Sequence, residues 1–191
     1  MSETQTLVLD GESMRIAAHH CFACGTLNEH GLKLDLHLGA GRAWTDLRLD
    51  SRFEGWEGVA HGGIVSTILD EVMAWSLVAS DAWGVTARMT TVFHAPVAIG
   101  MPIHAEGALS EGRRRVFRTT GTIVAPDGRV LASAEGTYVA ARDDEKRRLQ
   151  ARYGFRAVAS PNRPINTDIV DPRPAREPAG RSDGAVAVEH R

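Results

Sequence analysis

This chain of 191 residues is short of several things, and each shortage narrows what it does. Its two cysteines, Cys21 and Cys24, are too few for the disulfide framework of a small secreted domain. No basic-then-apolar segment precedes them, so a reducing, cytoplasmic setting is expected. Charge of one sign is also lacking. The 22 basic residues against 24 acidic ones leave a net −2, with no field to steer the chain towards nucleic acid or an anionic membrane surface. Long apolar runs are missing as well: the longest is broken by Ser66, Thr67, Asp70, Glu71 and Ser76 and is too interrupted to span a bilayer. Neither a nucleic-acid nor a membrane partner is therefore expected. What remains is 43% hydrophobic residues, enough to bury a core in one domain with extensions.

Residues 1–30 offer turn formers and no sustained period, and read as an irregular lead-in. The domain proper is expected over 31–142. There Leu32, Leu34, Leu36 and Leu38 alternate with Lys33, Asp35 and His37, the pattern of a half-buried strand over "GLKLDLHLG", and "GAGR" turns the chain into a second strand, "AWTDLRLD". A long apolar segment from Gly63 to Ala79 follows as a helix. Four more strands, rich in Val, Thr, Ile and aromatics, lie between Gly84 and Arg142. Their connections are too short for crossover helices, so the sheet must be antiparallel. One helix apolar on nearly every face is covered only if the sheet curls around it and something else, such as a second copy of the chain, closes the remaining side. Residues 143–156 read as a short charged surface helix, with acids first and bases last to complement the helix dipole. Residues 157–191, with most of the prolines and few large apolar side chains, read as a disordered tail.

The chemistry concentrates in "HGGIVSTILDEVMAW". Gly62 and Gly63 stand where the first amides of a helix lack intrahelical partners and the macrodipole is positive, an arrangement able to hold an oxyanion close to the backbone. Such a donor is worth about 3–4 kcal/mol in acyl transfer. Asp70, in an apolar stretch, can act as base or nucleophile, but nine residues of helix separate it from His61, roughly 13 Å at 1.5 Å per residue. A two-fold dimer with neighbouring helices would bring the start of one helix to the middle of the other. Two simpler readings stay open: His61 can serve only as a helix cap, and Asp70 can be a core carboxylate bonded to Ser66 one turn earlier.

This segment, preceded by "FEGWEGVA" and followed by "GVTARMTTVFHAPVAIG", resembles the PaaI-type hotdog-fold acyl-CoA thioesterases over about residues 20–141, and "HCFACGTLNEHGLKL" resembles the N-terminal signature of one branch of them. The resemblance implies an α+β hotdog fold, a curled antiparallel sheet of about six strands around one long central helix. It also implies a homodimer or a homotetramer built as a dimer of dimers, and a hydrolase that splits acyl-CoA into a carboxylic acid and free CoA without metal or cofactor. In that reading Gly62 supplies the oxyanion-hole amide, His61 positions the loop and the substrate carbonyl, Asp70 of the partner subunit is base or nucleophile, and Thr86 stands where relatives often have Ser or Thr. Gly63, Glu71, Trp75, Arg88 and Phe93 are the expected substrate-binding residues, with Met73, Val72, Trp75 and Phe93 lining an acyl groove between sheet and helix. Several relatives carry an Asn or Gln about six residues before the His. Here that position is Gly55.

Two further clusters have alternatives. "HHCFAC" offers His19, His20, Cys21 and Cys24, and later His30, but structural zinc usually takes four ligands and no second CxxC exists, so a packed turn with reduced thiols and no metal is expected. Arg113, Arg114 and Arg115 can meet coenzyme A phosphates or simply be exposed turn charges, as can Arg88. A non-catalytic acyl-CoA-binding protein, as sensor or structural dimer, is the rival to an enzyme.

Overall fold

The computed structural model describes residues 4–9 and 12–154. In chain order its elements are β1 (Thr4–Leu9), β2 (Glu12–Ala17), β3 (His37–Gly39), β4 (Arg42–Arg48), a 3-10 turn at Ser51–Phe53, β5 (Glu54–Trp56), β6 (Val59–Ala60), helix α1 (Gly62–Val78), β7 (Gly84–Phe93), β8 (Pro102–Arg113), β9 (Val116–Val124), β10 (Val130–Ala140) and helix α2 (Asp143–Tyr153). The expected tail lies outside the described residues.

Eight strands join in the order β2-β1-β3-β4-β8-β9-β10-β7, with β5 and β6 as a separate hairpin. All pairs in the large sheet are antiparallel except β1 with β3. Helix α1 touches all six strands from β3 to β7 along that order. Six strands at about 4.8 Å spacing are roughly twice as wide as a helix with its side chains, so a flat sheet would leave its outer strands out of reach. The sheet therefore curls around the helix.

The place where helix and sheet meet most closely is built from two glycines. Gly107 on β8 and Gly121 on β9 are cross-strand partners beneath the helix. A Cβ at Gly107 would lie 2.5 Å from the backbone of Val72 and Met73, and one at Gly121 would lie 3.0 Å from Met73 Cγ. Without side chains the two strands form a trough for the helix. The face of α1 that enters it carries Val65, Ile68, Leu69, Val72, Met73, Ser76 and Leu77, all buried at three- and four-residue spacing. Leu69, Val72, Met73 and Leu77 are completely enclosed, each contributing roughly 1.5–3 kcal/mol of burial. Although the helix is apolar all round in sequence, only this stripe is fully covered within one chain.

Two expectations need correction. The lead-in is not wholly irregular, because β1 and β2 form a hairpin that extends the sheet edge beyond β3. The alternating leucines of 32–38 do turn Leu34, Leu36 and Leu38 inward, yet ladder geometry is confined to His37–Gly39. The reason is competition for the backbone: the amides of Leu32 and Leu34 donate to the carbonyls of Phe22 and Ala23 at 2.8 and 2.9 Å, so the segment pairs with the cysteine-containing loop instead of a strand. Among the described residues no helix is long and apolar enough to cross a membrane.

Candidate active site

The start of α1 is organised by His61. Its backbone is extended (φ −62°, ψ 134°), and its Nδ1 accepts the Gly63 amide at 2.9 Å, so His61 is the N-cap. Gly63 is thereby satisfied within the chain, while the Gly62 amide has no hydrogen-bond partner among the described residues. Both glycines are exposed. The Phe93 ring stands over Gly62, 3.5 Å from where a Cβ there would be. On the other side, a Cβ at Gly55 would lie 3.0 Å from His61 Cα, so the β5–β6 hairpin packs directly on the histidine with no side chain between. No carbonyl-polarising side chain exists at position 55, and Trp56 beside it is 85% exposed.

Asp70 lies farther along the helix in a different setting. Its Oδ1 accepts hydrogen bonds from Thr86 Oγ1 at 2.7 Å and from the Tyr138 hydroxyl at 2.8 Å, and that hydroxyl is also 3.2 Å from the Asp70 carbonyl. Oδ2 has no hydrogen-bond partner among the described residues. Tyr138 is fully buried, and that burial, together with the neighbouring carboxylate, pushes its phenol well above the ordinary range; it stays a proton donor. Ser66 is not the partner of Asp70, its Oγ being directed at Thr91 Oγ1 at 3.5 Å.

Thr86 reaches Asp70 because of a β-bulge. Along β7, Phe93, Thr91 and Met89 stand opposite Ala132, Ala134 and Gly136 of β10; the register then slips, so that Arg88 faces Thr137 and Thr86 faces Tyr138, leaving Ala87 unpaired. The slip changes which parity faces the helix, and Thr86 turns inward where strict alternation would turn it out. Tyr138 was not among the residues selected from the sequence. A tyrosine in an alternating strand carries no signal of its own.

The other expected residues scatter. Glu71, one position on from Asp70, points away to a second polar cluster: Trp75 Nε1 donates to its Oε1 at 2.8 Å, and Cys21 Sγ lies 3.8 and 3.9 Å from its two oxygens. Burial raises the Glu71 carboxyl to about 7, the nearby Cys21 adding to the effect. Cys21 is held down at about 5, mainly by a hydrogen bond from Cys24, whose own thiol is pushed up by that bond and by burial. Val72 and Met73 do not line an open groove. Both are sealed beneath the helix by the close approach of β8, leaving Phe93, 54% exposed, and the half-buried Trp75 as the accessible members of that set. Arg88 is exposed on β7. Arg113, Arg114 and Arg115 occupy the β8–β9 turn and, with Glu111 and Arg118, line a surface cleft; Arg115 Nη2 donates to the Ala140 carbonyl at 3.0 Å.

Residues 57–132 match the thioesterase superfamily model. None of the curated proteins matches the sequence. Among solved structures, a thioesterase superfamily protein is 27% identical with a TM-score of 0.62, and the match spans 65% of each chain. A Streptococcus mutans protein solved with acetyl CoA is 16% identical (TM-score 0.55; 61% of this chain, 97% of that one). The Escherichia coli PaaI protein, from the phenylacetic acid degradation operon, is 17% identical (TM-score 0.51; 53% and 74%). The last two likenesses concern the fold alone. Residues 57–132 thus resemble the thioesterase superfamily, and the curled sheet around one long helix is the hotdog fold that the chain shares with these solved structures.

Proposed function

We propose that this protein is an acyl-CoA thioesterase that hydrolyses a CoA thioester to a carboxylic acid and free CoA, with Asp70 of one subunit acting on a carbonyl held by the Gly62 amide of the partner subunit. The observation that carries the reading is the carboxylate of Asp70: one oxygen is fixed by two hydroxyl donors and the other is left to react. Asp70 is half-buried and its Oδ2 is not among the buried unpartnered polar atoms, so that oxygen is open to a water or a substrate.

The sheet edge supports a dimer. Strand β7 is the last of the order, ten residues long, and exposes Val85, Val92 and Phe93. A long apolar edge invites pairing. Thr86, and with it Asp70, sits near one end of β7, whereas Phe93, and with it Gly62, sits at the other. Antiparallel pairing of β7 with its own copy about a two-fold axis brings those opposite ends side by side, which one chain cannot do across eight residues of helix, roughly 12 Å. The thioester oxygen would then accept the Gly62 amide at the positive end of the helix. Asp70 Oδ2 would take a proton from the attacking water, and collapse of the adduct would expel the CoA thiolate and leave the free acid; or it would attack the carbonyl carbon itself, expel the thiolate and leave an acyl–Asp70 anhydride that water then hydrolyses to the acid. The arginines of the β8–β9 turn lie towards the Thr86 end of the sheet, since Val116 pairs with Val139 and Val139 with Val85. Their guanidinium groups suit CoA phosphates.

The test is thiol release from short, long and aryl acyl-CoA esters by wild type and Asp70→Asn. A fall of a hundredfold or more in a variant that is folded and dimeric supports the proposal, and the best ester names the acyl class. No release from any ester by a folded wild-type dimer overturns it in favour of a non-catalytic acyl-CoA-binding protein.

A further inference from the structure

We propose that His19, Cys21, Cys24 and Glu71 form a zinc site that ties the loop before β3 to helix α1. This proposal stands apart from the thioesterase reading and survives its failure.

The ligand atoms of Cys21, Cys24 and Glu71 all lie within 4.8 Å of one another. Tetrahedral zinc with thiolates at about 2.3 Å sets neighbouring sulfurs about 3.8 Å apart, so the cluster is already close to the size of a coordination shell. Cys21 Sγ stands 3.8 Å from Glu71 Oε1; His19 Nε2, 3.3 Å from Cys24 Sγ but outside that mutual 4.8 Å group, would have to swing towards Cys21 and Glu71 to become the fourth donor. Sequence spacing alone supplies three of these residues. Glu71, fifty residues beyond Cys21, is brought in only by the fold.

The surroundings are those of a ligand set. His19 Nδ1 is 3.2 Å from the Ala17 carbonyl, which fixes the tautomer that leaves Nε2 free to bind a cation. Trp75 Nε1 donates to Glu71 Oε1 and orients the carboxylate. The Gly25 amide closes the turn on the Cys21 carbonyl at 3.0 Å. Only glycine fits there, since a Cβ at position 25 would lie 2.4 Å from both Cys21 N and the His19 carbonyl oxygen. This Cys-x-x-Cys-Gly turn presents both sulfurs to one point.

A protein-only account of the cluster is costly. Cys24 and His19 are 2% and 5% exposed, and the Cys21 sulfur stands 3.8 and 3.9 Å from the two Glu71 oxygens. A thiol is a weak donor for a half-buried carboxylate. Zinc would displace the thiol protons to solvent and offset two of the three negative charges gathered there.

The test uses the full chain without a histidine tag, purified without chelator from zinc-supplemented cells. Elemental analysis should find about one zinc per chain, and Glu71→Gln should weaken zinc binding by about 10- to 100-fold. Cobalt(II) added to the chelated wild type should give a thiolate-to-metal charge-transfer band, a readout that holds even where a Cys21→Ser, Cys24→Ser double variant fails to fold. Zinc below about a tenth per chain both as purified and after dialysis against zinc would overturn the site, as would a missing cobalt band or undiminished zinc in a folded double cysteine variant.

Discussion

Asp70 and Glu71 are chemically near-identical neighbours on one helix, and the fold gives them unrelated surroundings. Successive helical residues point about 100° apart, so Asp70 turns towards β7 and β10 while Glu71 turns towards the cysteine loop and Trp75. Asp70 meets the Thr86 and Tyr138 hydroxyls on one oxygen and keeps the other open. Glu71 is desolvated among sulfurs and raised to about 7. The first environment suits a carboxylate that reacts; the second suits one that binds a cation. One helix thus serves two polar sites, and identity of side chain says nothing about which is which.

The largest effect that sharpens this contrast is on turnover. Asp70→Asn keeps an oxygen for Thr86 and Tyr138 but removes the reactive one, so kcat for the best ester should fall by about a hundredfold or more with little loss of unfolding free energy. Glu71→Gln should reverse the pattern. Its zinc affinity, read by competition with a chromogenic chelator, should drop by about 10- to 100-fold while its kcat stays at least about tenfold above that of Asp70→Asn. Equal losses of kcat in the two variants would erase the distinction between the faces. Tyr138→Phe should act on the Asp70 side alone, costing about 2 kcal/mol in urea unfolding and about tenfold in kcat, because it removes one of the two donors that fix Oδ1. Ser66→Ala should change stability by less than about 0.5 kcal/mol, since its hydroxyl makes only a marginal contact with Thr91; a larger loss, with lowered kcat, would restore Ser66 as a partner of Asp70.

The fold was legible where local pattern carries it. The alternation of β4, the apolar length of α1 and the four strands after it each rest on signals within ten or so residues, and the antiparallel arrangement follows from short connections. Residues 1–30 were not legible, because β1 and β2 gain their order from pairing with β3 rather than from their own period. The candidate site divides the same way. His61, Gly62 and Asp70 announce themselves by residue type and spacing, and Thr86 by resemblance. Tyr138 does not, because its role depends on a contact 68 residues away.

The sequence by itself determined that a helix with a polar, glycine-rich start and two internal carboxylates would sit against a mainly antiparallel sheet. These are properties of neighbours along the chain, set by period and backbone freedom. Tertiary structure alone decided that Thr86 turns inward at the Ala87 bulge, that Val72 and Met73 are sealed against Gly107 and Gly121, and that Glu71 meets Cys21 and Cys24. Each of those outcomes depends on register and close approach between segments far apart in sequence, where a one-residue slip moves a side chain to the opposite face.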